Sequence, residues 1–254
     1  MTSGIVRGKM ERRTFLKGLA LLGFCPLCAS RAFAAEDAHW SYEGDAGPAR
    51  WGALAKDNVA CSAGSQQSPL NIVGAIKADL PDLRIEWLKD SGRIVNNGHT
   101  IQLNAPPGGR LTAGDVVSEL VQFHFHAPSE HRVDGQLFPM EAHFVHSKAN
   151  GDGLGVLGVF LVEGKPNPTF ALLADAFPKQ AGAEAPAPAG ADPRDLAPAS
   201  LKYWKYEGSL TTPPCSEVVD WWVCSDPVEV AKADIAKFTA LYSMNARPVQ
   251  DAAR

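Results

Sequence analysis

Polar and apolar positions alternate most clearly in two stretches, Gln122-Phe123-His124-Phe125-His126 and Met140-Glu141-Ala142-His143-Phe144-Val145-His146. Successive side chains of an extended strand point to opposite faces, so Gln122, His124 and His126 share one face and Phe123 and Phe125 the other. The second stretch sorts in the same way, with Glu141, His143 and Val145 against Ala142, Phe144 and His146. Shorter apolar runs at 83–87, 92–96, 100–103 and 117–125 are separated by Gly, Pro, Asn and Asp clusters and predict short strands. The unbroken run Gly155-Val156-Leu157-Gly158-Val159-Phe160-Leu161-Val162 predicts a central strand. Helical periodicity is confined to 170–176 and to 231–242, where Ile235, Phe238 and Leu241 fall on one face. Trp40, Tyr42 and Trp51 are expected to anchor an irregular segment over 35–60. The fold expected is mainly β (α+β), a single domain. The low-complexity tract 181–191 reads as a surface loop within it.

The chain has 254 residues, of which 45% are hydrophobic and 20% charged, enough for one large globular domain. Its first residues differ in kind. Arg12-Arg13 precedes a short apolar run, 18–27, and Ala32-Phe33-Ala34 offers a small-x-small cleavage site, so residues 1–34 read as a twin-arginine export signal. A basic amphipathic helix fits less well, because the apolar run is unbroken and ends at a processing site. Cys25 is a poor lipidation site, since bulky Phe24 precedes it. The mature protein, 35–254, is then expected in the periplasm with no stable membrane anchor.

Losing that leader removes six Lys/Arg and one acid and moves the formal charge from -4 to -9. So acidic a protein is a poor partner for nucleic acid or an anionic membrane surface. Export also changes how the cysteines read. Cys61 and Cys215 lie in turn-rich, polar surroundings, and an oxidising compartment permits a bridge between them. It would close a loop of about 150 residues, worth of order 4 to 5 kcal/mol at most. Cys224, in Trp221-Trp222-Val223-Cys224, reads as a buried thiol.

Five of the seven histidines fall between 124 and 146. If the two alternating stretches pair antiparallel, His143 meets His124 and His126 over one point. Three neutral imidazoles on one point make a zinc site, and a site with only three protein ligands keeps a fourth position for water, the catalytic arrangement. Gln122 and Glu141 stand two positions before ligands and are placed to accept a spare ring N–H, which fixes tautomer and orientation.

A zinc-bound water ionises near neutral pH and becomes a hydroxide nucleophile. Its use requires a group that fixes the hydroxide's remaining hydrogen bond, an apolar hollow for the electrophile, and a route for a proton to bulk water. In Ser209-Leu210-Thr211-Thr212-Pro213-Pro214 a Thr hydroxyl both donates and accepts, and a buried carboxylate such as Glu130 would orient it. Val145, Val156, Leu210 and Trp221 would form the hollow. His99, in the turn Asn97-Gly98-His99, is the natural proton relay.

These motifs, with Gln67-Ser68-Pro69, Ser129-Glu130-His131, Val156-Leu157-Gly158, Tyr203-Trp204-Lys205-Tyr206 and Asn245-Ala246-Arg247-Pro248 in the same order, closely resemble the α-class carbonic anhydrases, over about residues 40–250. The resemblance implies a central twisted, mostly antiparallel sheet with a few short peripheral helices and zinc at the base of a conical cleft. It implies reversible hydration of carbon dioxide to bicarbonate and a proton. The implied zinc ligands are His124, His126 and His143, supported by Gln122, Glu141 and the backbone carbonyl of Asn245. Thr211 would accept from the hydroxide and pass its own proton to Glu130, and Thr212 would sit beside bicarbonate. Val145, Val156, Leu210 and Trp221 would line the carbon dioxide pocket. His99 would shuttle protons, with Tyr42 and Asn97 ordering the water chain, and His131 would be structural, near Glu141 and Tyr206. Bacterial members also carry a disulfide at the positions of Cys61 and Cys215. Gln102 departs from the Asn common at its position.

Two rivals stay open at this point. A binding module that kept the fold and lost the chemistry is disfavoured by the complete set of histidines. A zinc esterase lacks a general base of the H-E-x-x-H kind in the ligand segments. A homodimer is left open.

Overall fold

The computed structural model describes residues 39–89, 92–149, 151 and 153–251. Residues 1–34, read above as an export signal, lie outside the described residues, as do Cys25 and Cys28. The strands are β1 (Asn71–Ile72), β2 (Leu83–Glu86), β3 (Arg93–Asn96), β4 (Ile101–Asn104), β5 (Arg110–Ala113), β6 (Val116–His126), β7 (Arg132–Val133), β8 (Met140–Lys148), β9 (Leu154–Glu163), β10 (Glu184–Pro186), β11 (Tyr203–Gly208), β12 (Val219–Cys224) and β13 (Val228–Val230). The α-helices are short: α1 (Trp51–Leu54), α2 (Ala60–Ala63), α3 (Pro168–Ala176) and α4 (Lys232–Thr239).

Eleven strands form one mixed sheet whose main path runs β10-β3-β4-β6-β8-β9-β12-β11. Most neighbours are antiparallel; β9 pairs parallel with both β12 and β13. The apolar run expected to be central is β9, held by β8 on one side and by β12 and β13 on the other. Its residues from Gly155 to Leu161 are all buried, as a strand covered on both faces requires.

The faces of the sheet divide the labour. Phe123, Phe125, Ala142, Phe144, Leu157 and Val159 belong to the main core, which α3 and α4 close through Phe170, Leu173, Ile235 and Phe238. Asn167 caps α3 by accepting from Phe170 N at 3.0 Å. A smaller cluster on the opposite face contains Val156, Phe160, Val219, Trp221 and Val223, with Val145 and Leu210 packed against it.

The expectation of a plain loop over 181–191 is corrected. Glu184, Ala185 and Pro186 pair antiparallel with Val95, Ile94 and Arg93 and form an edge strand. Arg93 closes it with a 2.7 Å ion pair to Glu184. Proline is tolerated here because only one side of an edge strand needs donors. The aromatic segment behaves as anchors should: Trp51 is fully buried and its Nε1 donates to Ser41 O and Ala46 O.

Candidate metal centre

Register places the site. β6 and β8 pair with His124 opposite His143, His126 opposite Glu141 and Gln122 opposite Val145. A shift in the ladder between Leu120 and Gln122 precedes the histidines; bulges of this kind re-aim the residues that follow. The row through His124 continues to Gln102 on β4, Gly158 on β9 and Val223 on β12.

Each of the three rings is tied outward through one nitrogen. His124 Nδ1 donates to Gln122 Oε1 at 2.8 Å. His126 Nδ1 donates to the Asn245 carbonyl at 2.7 Å. His143 Nε2 donates to Glu141 Oε1 at 2.9 Å. That leaves Nε2 of His124, Nε2 of His126 and Nδ1 of His143, and the donor atoms of the three residues lie within 4.8 Å of one another. Outer groups thus fix which nitrogen of each ring is free.

Two buried atoms here lack a hydrogen-bond partner: His126 Nε2 and Glu130 Oε2. They stand 3.6 Å apart, and Glu130 Oε2 is 3.8 Å from His143 Nδ1. Interior polar atoms are seldom left unsatisfied, so an orphaned imidazole nitrogen among two more histidines is what a cation-binding cluster leaves behind. The all-nitrogen, three-ligand set suits zinc.

Electrostatics hold two of the three rings towards the neutral form. Burial holds His124 well below the usual histidine range, with His126 and His143 adding to the effect against Glu141. Burial also lowers His126, and Glu130 opposes it. Neutral rings keep the lone pairs a metal needs. Burial lowers His143 too, but Glu141 outweighs it and the ring is raised. Glu141 is pushed up by burial, yet His131 and His143 prevail and keep it ionised.

His131, Glu141 and His143 also lie within ligand distance of one another. They satisfy each other instead: Glu141 Oε1 accepts from His131 Nδ1 at 2.7 Å, and Oε2 accepts from the backbone of Glu130 and His131. His131 Nε2 lies 2.6 Å from the Tyr206 hydroxyl, which reaches Ser68 Oγ at 3.0 Å. Gly158 is required beside this chain, because a Cβ there would stand 2.9 Å from Glu141 Oε1. A glycine inside an apolar strand was the visible signal of that close approach.

The remaining expected residues fall as follows. Val145, Val156, Leu210 and Trp221 share the smaller apolar cluster. Thr211 is buried and Thr212 partly so, in a loop closed by Leu210 N to Ser216 O at 3.0 Å and Cys215 N to Thr212 O at 2.9 Å. Among the described residues no hydrogen bond joins Thr211 to Glu130, whose Oε1 accepts from Arg247 N at 2.8 Å. Cys61 and Cys215 form a disulfide, and Cys224 is a free buried thiol. His99 stands apart from the three rings, in the turn after β3, its ring stacked on Trp40 at 3.8 Å. That indole partner was not among the expected site residues. Burial and then His39 lower the His99 pKa. His146 faces away and is satisfied, accepting from Trp87 Nε1 at 3.0 Å.

Comparison with known proteins points the same way. A family model for eukaryotic-type carbonic anhydrase matches residues 46–254. A carbonic anhydrase of Pectobacterium carotovorum is 39% identical over 92% of this chain and 96% of the relative. One from Nostoc is 40% identical over 95% of this chain and 94% of the relative. Among solved structures, the α-carbonic anhydrase of Thermovibrio ammonificans, in complex with sulfanilamide, superposes with a TM-score of 0.82 at 42% identity, covering 84% of this chain and 96% of that one.

Proposed function

The chain belongs to the eukaryotic-type (α) carbonic anhydrase family, and from that premise we propose that it hydrates carbon dioxide reversibly at a zinc ion held by His124, His126 and His143. Membership makes it an enzyme acting on small molecules. The observation that carries the metal assignment is the set of three rings, two buried and His124 partly so, each tied outward by one nitrogen, with Glu130 Oε2 unpaired beside them. Zinc held there by the three imidazoles would supply Lewis-acid chemistry, bringing the ionisation of a water close to neutral pH.

The protein's own residues do the rest. Gln122, Glu141 and the Asn245 carbonyl hold each ring in one tautomer. Thr211 would accept a hydrogen bond from the nucleophile and turn its own hydroxyl towards Glu130, whose Oε2 is free to receive it, so that a lone pair points at carbon. Val145, Val156, Leu210 and Trp221 receive carbon dioxide, an apolar electrophile that needs no polar partner there, and Thr212 steadies bicarbonate. His99 takes the surplus proton towards bulk water, with Tyr42 and Asn97 ordering the intervening waters. Tyr42 keeps its proton for this, since burial and then Glu130 raise its pKa well above the usual phenol range.

We infer too that residues 1–34 export the protein to the periplasm; a disulfide between Cys61 and Cys215 suits that compartment. Stopped-flow carbon dioxide hydration with zinc measured on the same sample tests the assignment: activity should track zinc, and activity independent of it would refute the reading.

A further inference from the structure

We propose that Thr100 and Asn245 are positioning residues that lock the His99 turn onto the backbone between the two histidines of β6. This rests on the relay role given to His99 above.

The main-chain ladder between β4 and β6 pairs Asn104 with Gln122, Leu103 with Phe123 and Gln102 with His124, and it ends there. Beyond that point Phe125, which lies between His124 and His126, has no ladder partner on β4. Its backbone is met by side chains instead. Thr100 Oγ1 donates to Phe125 O at 2.5 Å and lies 3.4 Å from Phe125 N, as acceptor. Asn245 Nδ2 donates to the same Phe125 O at 2.9 Å and to His99 O at 3.1 Å. Asn245 Oδ1 accepts from Ala127 N at 2.8 Å, while its own carbonyl holds His126. One fully buried residue therefore grips the relay turn, the β6 backbone and a ring of the metal cluster.

The turn itself is internally rigid: Asn97 Oδ1 accepts from both His99 N and Thr100 N at 2.9 Å. Gly98 supplies the left-handed φ of +88° that it needs. A rigid turn moves as a unit, so its attachment to β6, alongside the stack of the ring on Trp40, sets where His99 stands relative to the cluster. Proton transfer along ordered water depends on such placement, and a misplacement of about 1 Å costs up to about a hundredfold.

Thr100→Val removes the hydroxyl at nearly constant shape; Asn245→Ser shortens the second grip. In the full-length, zinc-loaded enzyme, Thr100→Val should lower kcat in weak buffer by about tenfold, leave kcat/KM unchanged and respond to added imidazole. Amide exchange at residues 98–101 should quicken in both variants. In a His99→Ala background Thr100→Val should cost nothing more. The proposal is overturned if kcat and kcat/KM fall in parallel, or if the loss persists without His99. It also fails if His99→Ala slows turnover in weak buffer while both clamp variants match wild type. Should His99→Ala itself leave weak-buffer turnover intact, the relay reading falls first and the clamp with it. If Asn245→Ser does not fold, Thr100→Val carries the test alone.

Discussion

Glu141 and His143 meet at 2.9 Å between carboxylate Oε1 and ring Nε2, and that bond decides which nitrogen of His143 is left for a metal. His124 and His126 use Nδ1 for their outward bonds, whereas His143 uses Nε2. His143 sits on the neighbouring strand, opposite His124. Glu141→Gln keeps the shape but loses the charge that four N–H donors share. Zinc should bind roughly ten- to a hundredfold more weakly. Competition with a chelator measures this, and wild-type affinity would remove Glu141 from its supporting role.

His99→Ala should slow turnover in weak buffer by at least about tenfold, with little effect on kcat/KM, because the relay acts after the bond to carbon has formed. Added imidazole should restore the rate. An unchanged rate at low buffer would end the relay assignment.

His146 makes stability depend on pH. Burial lowers its pKa to about 4, so the folded protein holds the ring neutral while an unfolded chain protonates it near 6.5. Between those values the unfolded state binds more protons. The contribution is therefore complete above about pH 6.5 and is lost as pH falls towards 4, amounting to about 2 kcal/mol at pH 5. Urea unfolding of wild type and His146→Gln at pH 7 and pH 5 isolates it. The gap between the two proteins should narrow by about that amount at pH 5; a constant gap would contradict the burial argument.

The Cys61–Cys215 bridge spans 154 residues and lies at the end of the Thr211–Thr212 loop. Arg247 Nη2 donates to Cys61 O at 3.0 Å and Gln67 Nε2 to Cys215 O at 3.1 Å, so both half-cystines are fixed from the interior. Reduction, or the Cys61→Ser/Cys215→Ser pair, should cost about 2 to 5 kcal/mol in denaturant unfolding. An identical midpoint with and without reductant would show that the closed loop adds nothing.

Much of this architecture was legible along the chain because it follows a period of two. Gln122, His124 and His126, like Glu141, His143 and Val145, sort to one face by parity alone, and antiparallel pairing does the rest. The unbroken apolar run of β9 likewise announced a strand covered on both sides. What parity cannot reach is a partner that belongs to irregular backbone. Asn245 lies 119 residues from His126, and nothing local marks its carbonyl as the acceptor; only the family resemblance pointed there. The grip of Thr100 on Phe125 appears only once a ladder is seen to stop at His124. The tract 181–191 misled because Ala and Pro carry no strand signal, while β3 offers an open edge that needs few donors in return.

The most direct test of the central claim is zinc content and carbon dioxide hydration measured on the same samples of wild type and His124→Ala, before and after chelation. Wild type should carry one zinc per chain, lose activity with it and regain both on zinc addition, while His124→Ala should bind no zinc and show no hydration. Full activity in the chelated protein, or stoichiometric zinc with undiminished turnover in His124→Ala, would contradict the account.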